Sequence, residues 1–553
     1  MKYPLPRTHA LYICLALASL ILFLFIACEA ARAQDSSTGA IRGTVVDSAG
    51  ARIPGARVLV TGITSGVRRE LVSDDEGVFS AQLLSPGEYE VRVEAQGMAP
   101  EQLHQLQVDL GASLELWLKL RAAQASEAVT ISEAPALVET RNSEISHVID
   151  DRAIDNLPLN GRRYTDLALL TPGVTQDPRG LTSASNGDLA FGGIRGFQSS
   201  FLVDGADNNN SFFAQARGRY RAPYQFSNEV VQEFRVSSNA YGAELGRAGG
   251  AVINVVTKSG SNHFHGKAFY YFRDRELGAT PAFLDFKPED RQQQFGGTVG
   301  GPIVKNRVFF FGGFDQHIFH VPTIVHFDNG LPYVVPQPND YESSDQNLVY
   351  LTAAALSQMG GSFRSSLLGN AGFLKVDFAI SPRHFLSARL STSRYYGDNN
   401  VFFDPASPIT KYAISENGQE EVHTESAVVS LTSGLSHHAT SHLRVQFSRD
   451  LQQSEANSSY PLTQIYSIIQ GFGRSNILPR ETREHKWHLA ETVALEGNRH
   501  SWKFGGDVAA SYIYNFFPQQ FGGDYIFDDI SVDPWTFQPV RGGMQITPLR
   551  AYA

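Results

Sequence analysis

Apolar and polar residues alternate along many short segments in the second half of this chain. Leu374, Val376 and Phe378 would lie on one face of an extended segment, and Lys375 and Asp377 on the other. A period of two residues predicts a half-buried antiparallel strand, because successive side chains of a strand point to opposite faces. The same alternation occurs in the ranges 386–391, 443–448 and 502–508. It predicts a series of β-hairpins from residue 262 onward.

This pattern leaves the direction of the apolar face open. In a soluble sandwich the apolar face would form a core, whereas in a transmembrane β-barrel it would contact lipid and the polar face would line the lumen. Aromatic residues are concentrated near the predicted strand ends, which favours the barrel, because such residues form girdles at the membrane interfaces. Three polar stretches are long enough for extracellular loops, at 285–293, 321–346 and 399–418.

A shorter group of alternating strands lies nearer the N-terminus. Tyr89, Val91 and Val93 alternate with charged residues, and the leucines within 113–120 share one face. Turn signals separate these segments, for example Ser85-Pro86-Gly87. These features predict a small β-sandwich over residues 35–121. A linker rich in Ala, Ser and Glu follows over 122–139, with a short extended run inside it.

The region 140–261 has a mixed pattern. Asp151 is predicted to cap a short helix, and a second helix is predicted from Tyr164 to Leu170. Between Leu189 and Asn262, β-branched runs are separated by glycine pairs and Asp-Gly turns. This stretch is too rich in glycine for a helical bundle and too regular for a linker, so it predicts a compact domain of short strands.

The first 33 residues predict an export signal. Lys2 and Arg7 precede an apolar run over 11–27, and Ala31-Arg32-Ala33 forms a small-residue cleavage site, so that cleavage is expected between Ala33 and Gln34. An uncleaved anchor is the alternative, although an apolar run of about 17 residues is near the lower length limit for a membrane span. A lipoprotein signal ending at Cys28 is a weaker alternative.

Composition narrows the class of protein. Charged residues make up 18% of the 553 residues and aromatic residues 11%, with 49 glycines. This charge content is below the roughly 25% of ordinary soluble domains, and mean hydropathy is only −0.19, which excludes a helical membrane protein. Cys14 and Cys28 are the only cysteines, and both fall in the predicted signal. A net charge of −10 argues against nucleic acid as a partner.

Two resemblances give these regions a family context. Ile41–Asp47, Ile53–Ala56, Ser73–Gly77 and Pro86–Tyr89 resemble a carboxypeptidase-regulatory-like domain of the transthyretin (prealbumin) type. Such a module implies a binding or spacer role rather than peptidase activity. The segments Leu157–Tyr164 and Thr171–Val174, together with the run GGAVINVVTKSGSN that starts at Gly249, resemble the plug domain of TonB-dependent outer-membrane transporters.

The plug resemblance implies a mainly β architecture with a transmembrane barrel over 262–553. The runs Phe295–Ile303 and Phe309–Gly312 are similar to the Oar-like subclass of such barrels. The implied function is import of an extracellular ligand, which could be a siderophore, an oligosaccharide or a peptide. The implied partners are outer-membrane lipid and a TonB-type energy-coupling protein in the periplasm, which would also be the location of the N-terminal domain. No cofactor and no catalytic residue is implied.

The resemblance also implies site residues. The coupling segment, or TonB box, is expected in the linker at Glu127, Ala128, Val129, Thr130, Ile131 and Ser132, where free backbone groups could pair by strand addition. The expected plug motif residues are Arg195, Gly196, Asp204, Gly205, Gly249, Gly250 and Lys258. Arg195 could pair with Glu233 or Glu244 and lock the plug, since a buried Arg needs a partner. The alternative is a plain turn with a solvated Arg.

The predicted strand count differs from this family. Plugged outer-membrane transporters have about 22 strands, whereas roughly ten candidates are found between 262 and 553, using the alternation criterion. An unclosed sheet in lipid would leave unpaired backbone groups. We therefore expect a partial barrel from a fragment, a truncated product or half of a split gene, with the inferred function belonging to the complete protein.

Enzyme motifs are weak in this sequence. His488 and Glu491 have the spacing of a zinc-binding pair, but positions i and i+3 of a strand face opposite sides. His263, His265, His317 and His320 are expected to be surface or loop residues, and no metal site is predicted. The remaining alternative function is a non-transporting exported protein, either an adhesin or a carbohydrate- or peptide-binding β protein.

Overall fold

The structure is a computed structural model. It describes the following residues: 38–63, 66–122, 130–131, 145–157, 162, 164–176, 189–194, 196–217, 226–239, 241–242, 245–280, 285–327, 351–401, 409–436, 438–465, 469–496, 500–528, 530–532, 544–546 and 552. The predicted signal peptide with its cleavage site at Ala33 and Gln34 lies outside the described residues. None of the helices in the described ranges is long and apolar enough to cross a membrane.

The N-terminal domain is a sandwich of two sheets, in which alternate side chains point between the sheets. One sheet has the order β4-β1-β7 and the other β3-β2-β5-β6-β8. Ile41, Val58 and Val91 are among the fully buried core residues. The strands are β1 (Gly39–Val46), β2 (Arg57–Gly62), β3 (Arg68–Val72), β4 (Val78–Leu84), β5 (Gly87–Glu94), β6 (Glu101–Val108), β7 (Ser113–Lys119) and β8 (Thr130–Ile131).

The plug is built on a five-stranded sheet of order β13-β12-β17-β16-β9. Its central strand β17 is buried along its whole length. Helix α1 (Asp151–Asn156) is capped by Asp150, whose side chain accepts from the Ala153 amide, rather than by Asp151 as predicted. The strands are β9 (Ile145–Ile149), β10 (Val174–Gln176), β11 (Leu189–Phe191), β12 (Ser200–Val203), β13 (Ala206–Asp207), β14 (Asn209–Asn210), β15 (Gln215–Ala216), β16 (Val231–Asn239) and β17 (Val252–Thr257).

The plug also contains short 3₁₀ turns. The predicted second helix, Tyr164–Leu170, is a 3₁₀ helix, and two further turns span Gly196–Gln198 and Asn228–Val230. Outside the sheet, β10 pairs with β11 and β14 pairs with β15. The predicted domain of short strands over 140–261 thus folds around one central sheet.

The wall is a large antiparallel sheet of nine consecutive neighbours, in the order β18-β19-β20-β21-β22-β24-β25-β28-β29. Among the described residues, its two outer strands β18 and β29 do not pair with each other. The mainly β fold with a partial barrel is therefore confirmed. The strands are β18 (His265–Asp274), β19 (Arg291–Val304), β20 (Val308–Val325), β21 (Gly361–Ser381), β22 (His384–Asp398), β24 (Gly418–Gly434), β25 (Ala439–Ala456), β28 (Arg480–Glu496) and β29 (Ser501–Phe516).

The alternation along the wall is resolved in favour of the barrel. Lys375 and Asp377 are 9% and 2% exposed and face inward, where Lys375 donates to the Thr257 carbonyl of the plug, whereas Leu374 and Leu390 are 44% and 56% exposed and face outward. A soluble sandwich would bury the leucines and expose the charges. An apolar outer surface and a polar inner surface are the arrangement of a membrane barrel.

The two ends of the wall differ in their connections. Connections of two to four residues join the strands at one end, at 305–307, 382–383, 435–438 and 497–500. Longer connections lie at the other end, where β19 begins at Arg291 and β20 extends to Val325, so the predicted loops 285–293 and 321–346 are partly strand. The N-terminal domain contacts the short-turn end, where Gln82 donates to Ser501 at 2.8 Å.

The described parts of the long connections form a small cap with its own apolar core. Residues 351–357 are helical, and Val325, Leu356 and Ile465 are buried together in this core. Strand β23 pairs with β20, and β26 pairs with β27 and β30. The strands outside the wall are β23 (Ile409–Thr410), β26 (Leu462–Ile465), β27 (Ile469–Phe472), β30 (Asp524–Phe527), β31 (Ile530–Val532) and β32 (Met544–Ile546).

Candidate functional site: the plug and wall interface

The Asp204-Gly205 turn is the point at which plug sheet and wall meet. It joins β12 to β13, and both residues have positive φ, 49° and 71°. A two-residue hairpin loop requires such angles, which Gly adopts freely and Asp tolerates. The Asp204 carboxylate accepts from Arg389 of β22 at 2.7 Å and from the Thr257 amide and hydroxyl, each at 2.9 Å. Lys375 of β21 is 4.0 Å away.

The charge state of Asp204 follows from these neighbours. Burial raises the pKa of the Asp204 carboxyl, but Lys375 and Arg389 outweigh burial and hold this pKa below its ordinary value. The carboxylate is therefore ionised at neutral pH. The hydrogen bonds from Thr257 act in the same direction. Arg444 of β25 adds a bond to the Asp204 backbone carbonyl at 3.1 Å.

A second acidic residue of the plug repeats this arrangement. Asp207 forms an ion pair with Lys486 of β28, and Arg247 of the plug lies 3.3 Å from the same carboxylate. Gln446 of β25 donates to the Asp207 carbonyl at 2.8 Å. Four wall strands, two on each side of β24, thus place a basic side chain against this part of the plug: Lys375, Arg389, Arg444 and Lys486.

The hairpin of β14 and β15 also contacts the wall. Here the charged residues belong to the wall and are acidic. Asn210 donates to Asp450 of β25 at 2.5 Å, and the Ser211 amide donates to Glu484 of β28 at 3.1 Å. Ser211 also contacts Ser511 of β29 at 2.9 Å. The interface therefore follows the wall across several strands through paired polar groups.

A third cluster joins the other side of the plug to the first wall strands. Lys267 of β18 lies 2.8 Å from Glu229, which also pairs with Arg162. Ser227 donates to Asp315 of β20 at 2.7 Å. Apolar contact is present too, since Phe311 and Phe373 of the wall belong to the plug core.

This interface is suited to being held and released. Ion pairs and hydrogen bonds can be exchanged for bonds to water when the surfaces separate, so their net contribution is modest. A fully apolar interface of the same area would resist separation by roughly 25 cal/mol per Å². The mixture of polar pairs and a small apolar contact can therefore hold a plug without fixing it permanently.

The structure shows the surroundings of several predicted motif glycines. A side chain at Gly196 would meet the Leu189 carbonyl at 2.6 Å, and one at Gly250 would meet Ser199 at 2.8 Å, so both positions require close approach. Gly249 has more space, with its nearest neighbour at 3.9 Å. The Lys258 amide bonds to the Val230 carbonyl at 2.8 Å, where the chain leaves β17.

The predicted Arg195 lock is only partly described. Arg195 and Glu244 lie outside the described residues, whereas Glu233 lies within them. Glu233 bonds instead to the N-terminal domain, where its carboxylate accepts from the Leu110 amide at 2.8 Å. Arg235 donates to the Leu110 carbonyl at 2.5 Å. Burial and the nearby Asp109 raise the pKa of Glu233 to about 8. This pair therefore connects the plug to the sandwich.

The predicted coupling segment is only partly described. Thr130 and Ile131 form β8, which pairs in parallel with Gln102 and Leu103 of β6. The edge of the sandwich thus occupies backbone groups of this segment. Four of its predicted members lie outside the described residues: Glu127, Ala128, Val129 and Ser132.

The wall cations were not predicted from the sequence as partners of the plug. The sequence did contain a signal for such partners, because each of these cations stands at a polar, inward position of an alternating strand: Lys375, Arg389 and Arg444. A charged residue on the lumen face of a plugged barrel requires a partner. The pairing with Asp204 could not be read from the sequence, because these residues are separated by more than 150 positions.

Metal-binding geometry is not found among the described residues, which contain no group of three or more His, Cys, Asp or Glu side chains able to hold an ion. His488 contacts Asp507 of the adjacent strand β29 at 3.3 Å. Glu491, the other member of the sequence pair, accepts instead from Ser441 of β25.

Comparisons with known proteins agree with this architecture. An outer membrane β-barrel domain family matches residues 256–327 and 324–535, which is half of the chain, and a carboxypeptidase regulatory-like domain matches 40–121. The TonB-dependent transporter Oar of Myxococcus xanthus is 30% identical over 304 residues, or 52% of this chain and 27% of the relative. The match thus spans about a quarter of that relative's length.

Solved structures of outer-membrane receptors are also similar. The siderophore receptor PirA of Acinetobacter baumannii has 14% identity and a TM-score of 0.46, over 68% of this chain and 48% of its own. The outer membrane transporter YddB of Escherichia coli has 11% identity and a TM-score of 0.46, over 67% and 48%. On the family match, this chain belongs to the outer membrane β-barrel domain family and is a protein of the outer membrane.

Proposed function

We propose that this chain is part of a TonB-dependent receptor that imports an extracellular ligand through a plugged barrel. The observation that carries the proposal is the set of ion pairs between plug and wall, with Asp204 on Arg389 and Asp207 on Lys486. The similarity to a TonB-dependent transporter supports it. The activity belongs to the whole protein, and the chain itself catalyses no reaction.

The proposed cycle begins at the end of the wall that carries the long connections. A siderophore, oligosaccharide or peptide binds there and to the adjacent part of the plug. A periplasmic TonB-type protein then pulls the segment from Glu127 to Ser132. The ion pairs of Asp204 and Asp207 break, water replaces their partners, and the plug moves away from β22 and β28.

The pairing of β8 with β6 supports a competition at this step. A TonB-type protein that binds by strand addition needs the backbone groups of the coupling segment. Thr130 and Ile131 use part of these groups on the sandwich edge. The N-terminal domain therefore holds the coupling segment until the energy-coupling protein displaces it.

Deletion of residues 127–132 tests the proposal. Purified protein is first screened against panels of ferric siderophores, oligosaccharides and peptides, and uptake of the bound compound by cells is then measured. We expect the deletion to abolish uptake while leaving outer-membrane location and ligand binding unchanged. Deletion of six other linker residues, 134–139, is the matched control and should retain uptake.

The alternative is a non-transporting surface protein, an adhesin or a carbohydrate- or peptide-binding β protein. It is favoured if the deletion leaves uptake unchanged. It is also favoured if the exported chain is fully soluble without detergent, because the apolar outer face of the wall requires lipid.

A further inference from the structure

The β14–β15 hairpin of the plug places one arginine between the plug and the wall. Arg217 directly follows β15, and its amide bonds to the Asn208 carbonyl at 2.9 Å. The tip of the hairpin is fixed to the wall through Asn210 on Asp450 and Ser211 on Glu484. Hydrogen bonds therefore hold both the base and the tip of the hairpin, and Arg217 lies at its base.

Within the described residues, Arg217 is buried without a hydrogen-bond partner for its side chain. Its side chain is 2% exposed, and none of its three guanidinium nitrogens has a hydrogen-bond partner among the described residues. A guanidinium remains charged at all physiological pH values. Asp450 attracts this charge without a hydrogen bond, so the buried guanidinium nitrogens still require an acceptor.

The cavity beside Arg217 contains more donors than acceptors. Arg389 also lines it. In the described part of the chain the Arg389 Nε is buried without a hydrogen-bond partner, while its Nη1 donates to Asp204. Four guanidinium nitrogens therefore lack acceptors. The other polar lining comes mainly from Ser391, Thr424 and Ser426, whose hydroxyl groups can donate to an anion.

The acidic residues nearby do not supply the missing acceptor. Glu425 lines the cavity, but its carboxylate lies 3.2 Å from His423, which neighbours it on one face of β24. Asp450 attracts Arg217 electrostatically, but its Oδ2 receives Asn210 and Gln452. The Asp450 Oδ1 is itself without a hydrogen-bond partner in the described part of the chain.

We propose that this cavity binds one small monovalent anion, of the size of a halide or formate, between Arg217 and the inner face of β22 and β24. The cation supplies attraction, and the serine and threonine hydroxyls supply neutral donors. Apolar side chains of Val203, Phe226 and Phe373 close the remaining sides, which leaves no room for a large ligand. The anion would tie the hairpin of the closed plug to the wall.

Crystals of the full chain grown in sodium bromide provide a direct test. We expect one anomalous bromide peak within hydrogen-bond distance of the Arg217 guanidinium. In detergent, thermal unfolding is measured while chloride replaces gluconate at constant ionic strength, because gluconate is too large for the cavity. We expect the Tm of the wild type to rise with chloride and to saturate.

The matched variants are Arg217→Gln and Arg394→Gln. Arg394 is exposed and pairs with Glu421 at 2.7 Å, away from the cavity. R217Q should shift the chloride midpoint at least tenfold upward, whereas R394Q should leave it unchanged.

The proposal is overturned if a water and no bromide lies at Arg217, or if chloride acts equally on R217Q and wild type. It is also overturned if Arg217 pairs directly with Asp450, in which case R217Q and D450N would lower Tm equally in both salts. The bromide result requires no variant and does not depend on transport.

Discussion

Asp204 connects the plug to three wall strands through its side chain and its carbonyl group. Its carboxylate is about one fifth exposed and is bonded to Arg389 and to Thr257. Removal of one partner from a largely buried ion pair leaves the other charge uncompensated. Residue-level contacts of this kind therefore contribute to how firmly the plug is held.

We expect Asp204→Asn to destabilise the closed plug by about 2 kcal/mol, because Arg389 and Lys375 lose their counter-ion. Thermal unfolding in detergent and protease sensitivity of the plug measure the effect. Asp507→Asn is the matched control, since Asp507 is 67% exposed, and it should change stability by less than about 0.5 kcal/mol. Equal effects of the two substitutions would contradict the assigned role of Asp204.

Glu233 makes docking of the N-terminal domain dependent on pH. Its pKa is about 8 in the folded protein and ordinarily 4.5, so the docked state retains a proton between these values. Docking is therefore strongest below about pH 4.5, weakens as pH rises to about 8, and is constant above that. The whole pKa shift corresponds to about 5 kcal/mol, which is the upper limit of the change. Protection of the Leu110 amide from hydrogen exchange, followed as a function of pH, measures this change.

Glu233→Gln supplies the control for this dependence. A neutral amide at this position should remove the pH slope between 4.5 and 8 while retaining protection of Leu110. Glu115→Gln, at an exposed position of β7, should leave the slope unchanged. A slope that persists in E233Q would assign the titration to another group.

At the scale of elements, the wall strands turn their apolar face outward and their polar face inward, which is the reverse of the strands of a soluble domain. The outward positions of β22 carry Leu386, Ala388 and Leu390, while Arg389 on the inner face contacts the plug. In the sandwich the same alternation directs Val91 and Val93 into a core. The alternation is the same in the two domains. What each face packs against determines whether the apolar side chains are buried or exposed.

We expect Leu390→Arg to lower the stability of the protein in lipid by about 2–4 kcal/mol, because it places a charge on the lipid face near the middle of a strand. Leu435→Arg is the control. Leu435 is as exposed as Leu390, at 58% against 56%, but lies in a short turn, where the cost is about 0–1 kcal/mol. Urea unfolding from lipid vesicles compares them, and equal costs would argue against a lipid-facing Leu390.

At the scale of the whole molecule, the plug is held from two sides. The wall contacts it through β18, β20, β21, β22, β25, β28 and β29, and the N-terminal domain contacts it through Leu110. The sandwich also contacts the rim of the wall, where Arg69 donates to Thr440 at 3.3 Å. Movement of the plug therefore requires changes at both interfaces.

A reversible cross-link between plug and wall tests this requirement. The pair Asn210→Cys and Asp450→Cys replaces two side chains in direct contact, and the natural cysteines lie only at positions 14 and 28. We expect a short cleavable thiol reagent to reduce uptake to background without loss of ligand binding, and a reductant to restore it. The single-cysteine variants treated in the same way should transport normally. Unchanged uptake in the cross-linked protein would mean that this hairpin stays in place during import.

Local patterns were sufficient for the elements. Alternation in 374–378 predicts β21, and the Asp204-Gly205 dipeptide predicts a tight hairpin turn, because period and turn chemistry act over a few residues. The N-cap was predicted one residue late, at Asp151 rather than Asp150, because adjacent acidic residues compete for the same position. Strand ends such as Arg291 were misjudged because polar residues continue into a strand whose inner face is polar.

By itself, the sequence determined the mainly β class and the membership of Asp204 and Gly205 in a turn, and it predicted the order of sandwich, plug and wall. The tertiary structure alone decided that Leu374 faces outward and Lys375 inward, and that Arg389 is the partner of Asp204. The reason is physical: a period of two residues assigns side chains to faces, but only packing shows which face meets the plug and which long-range pairs form.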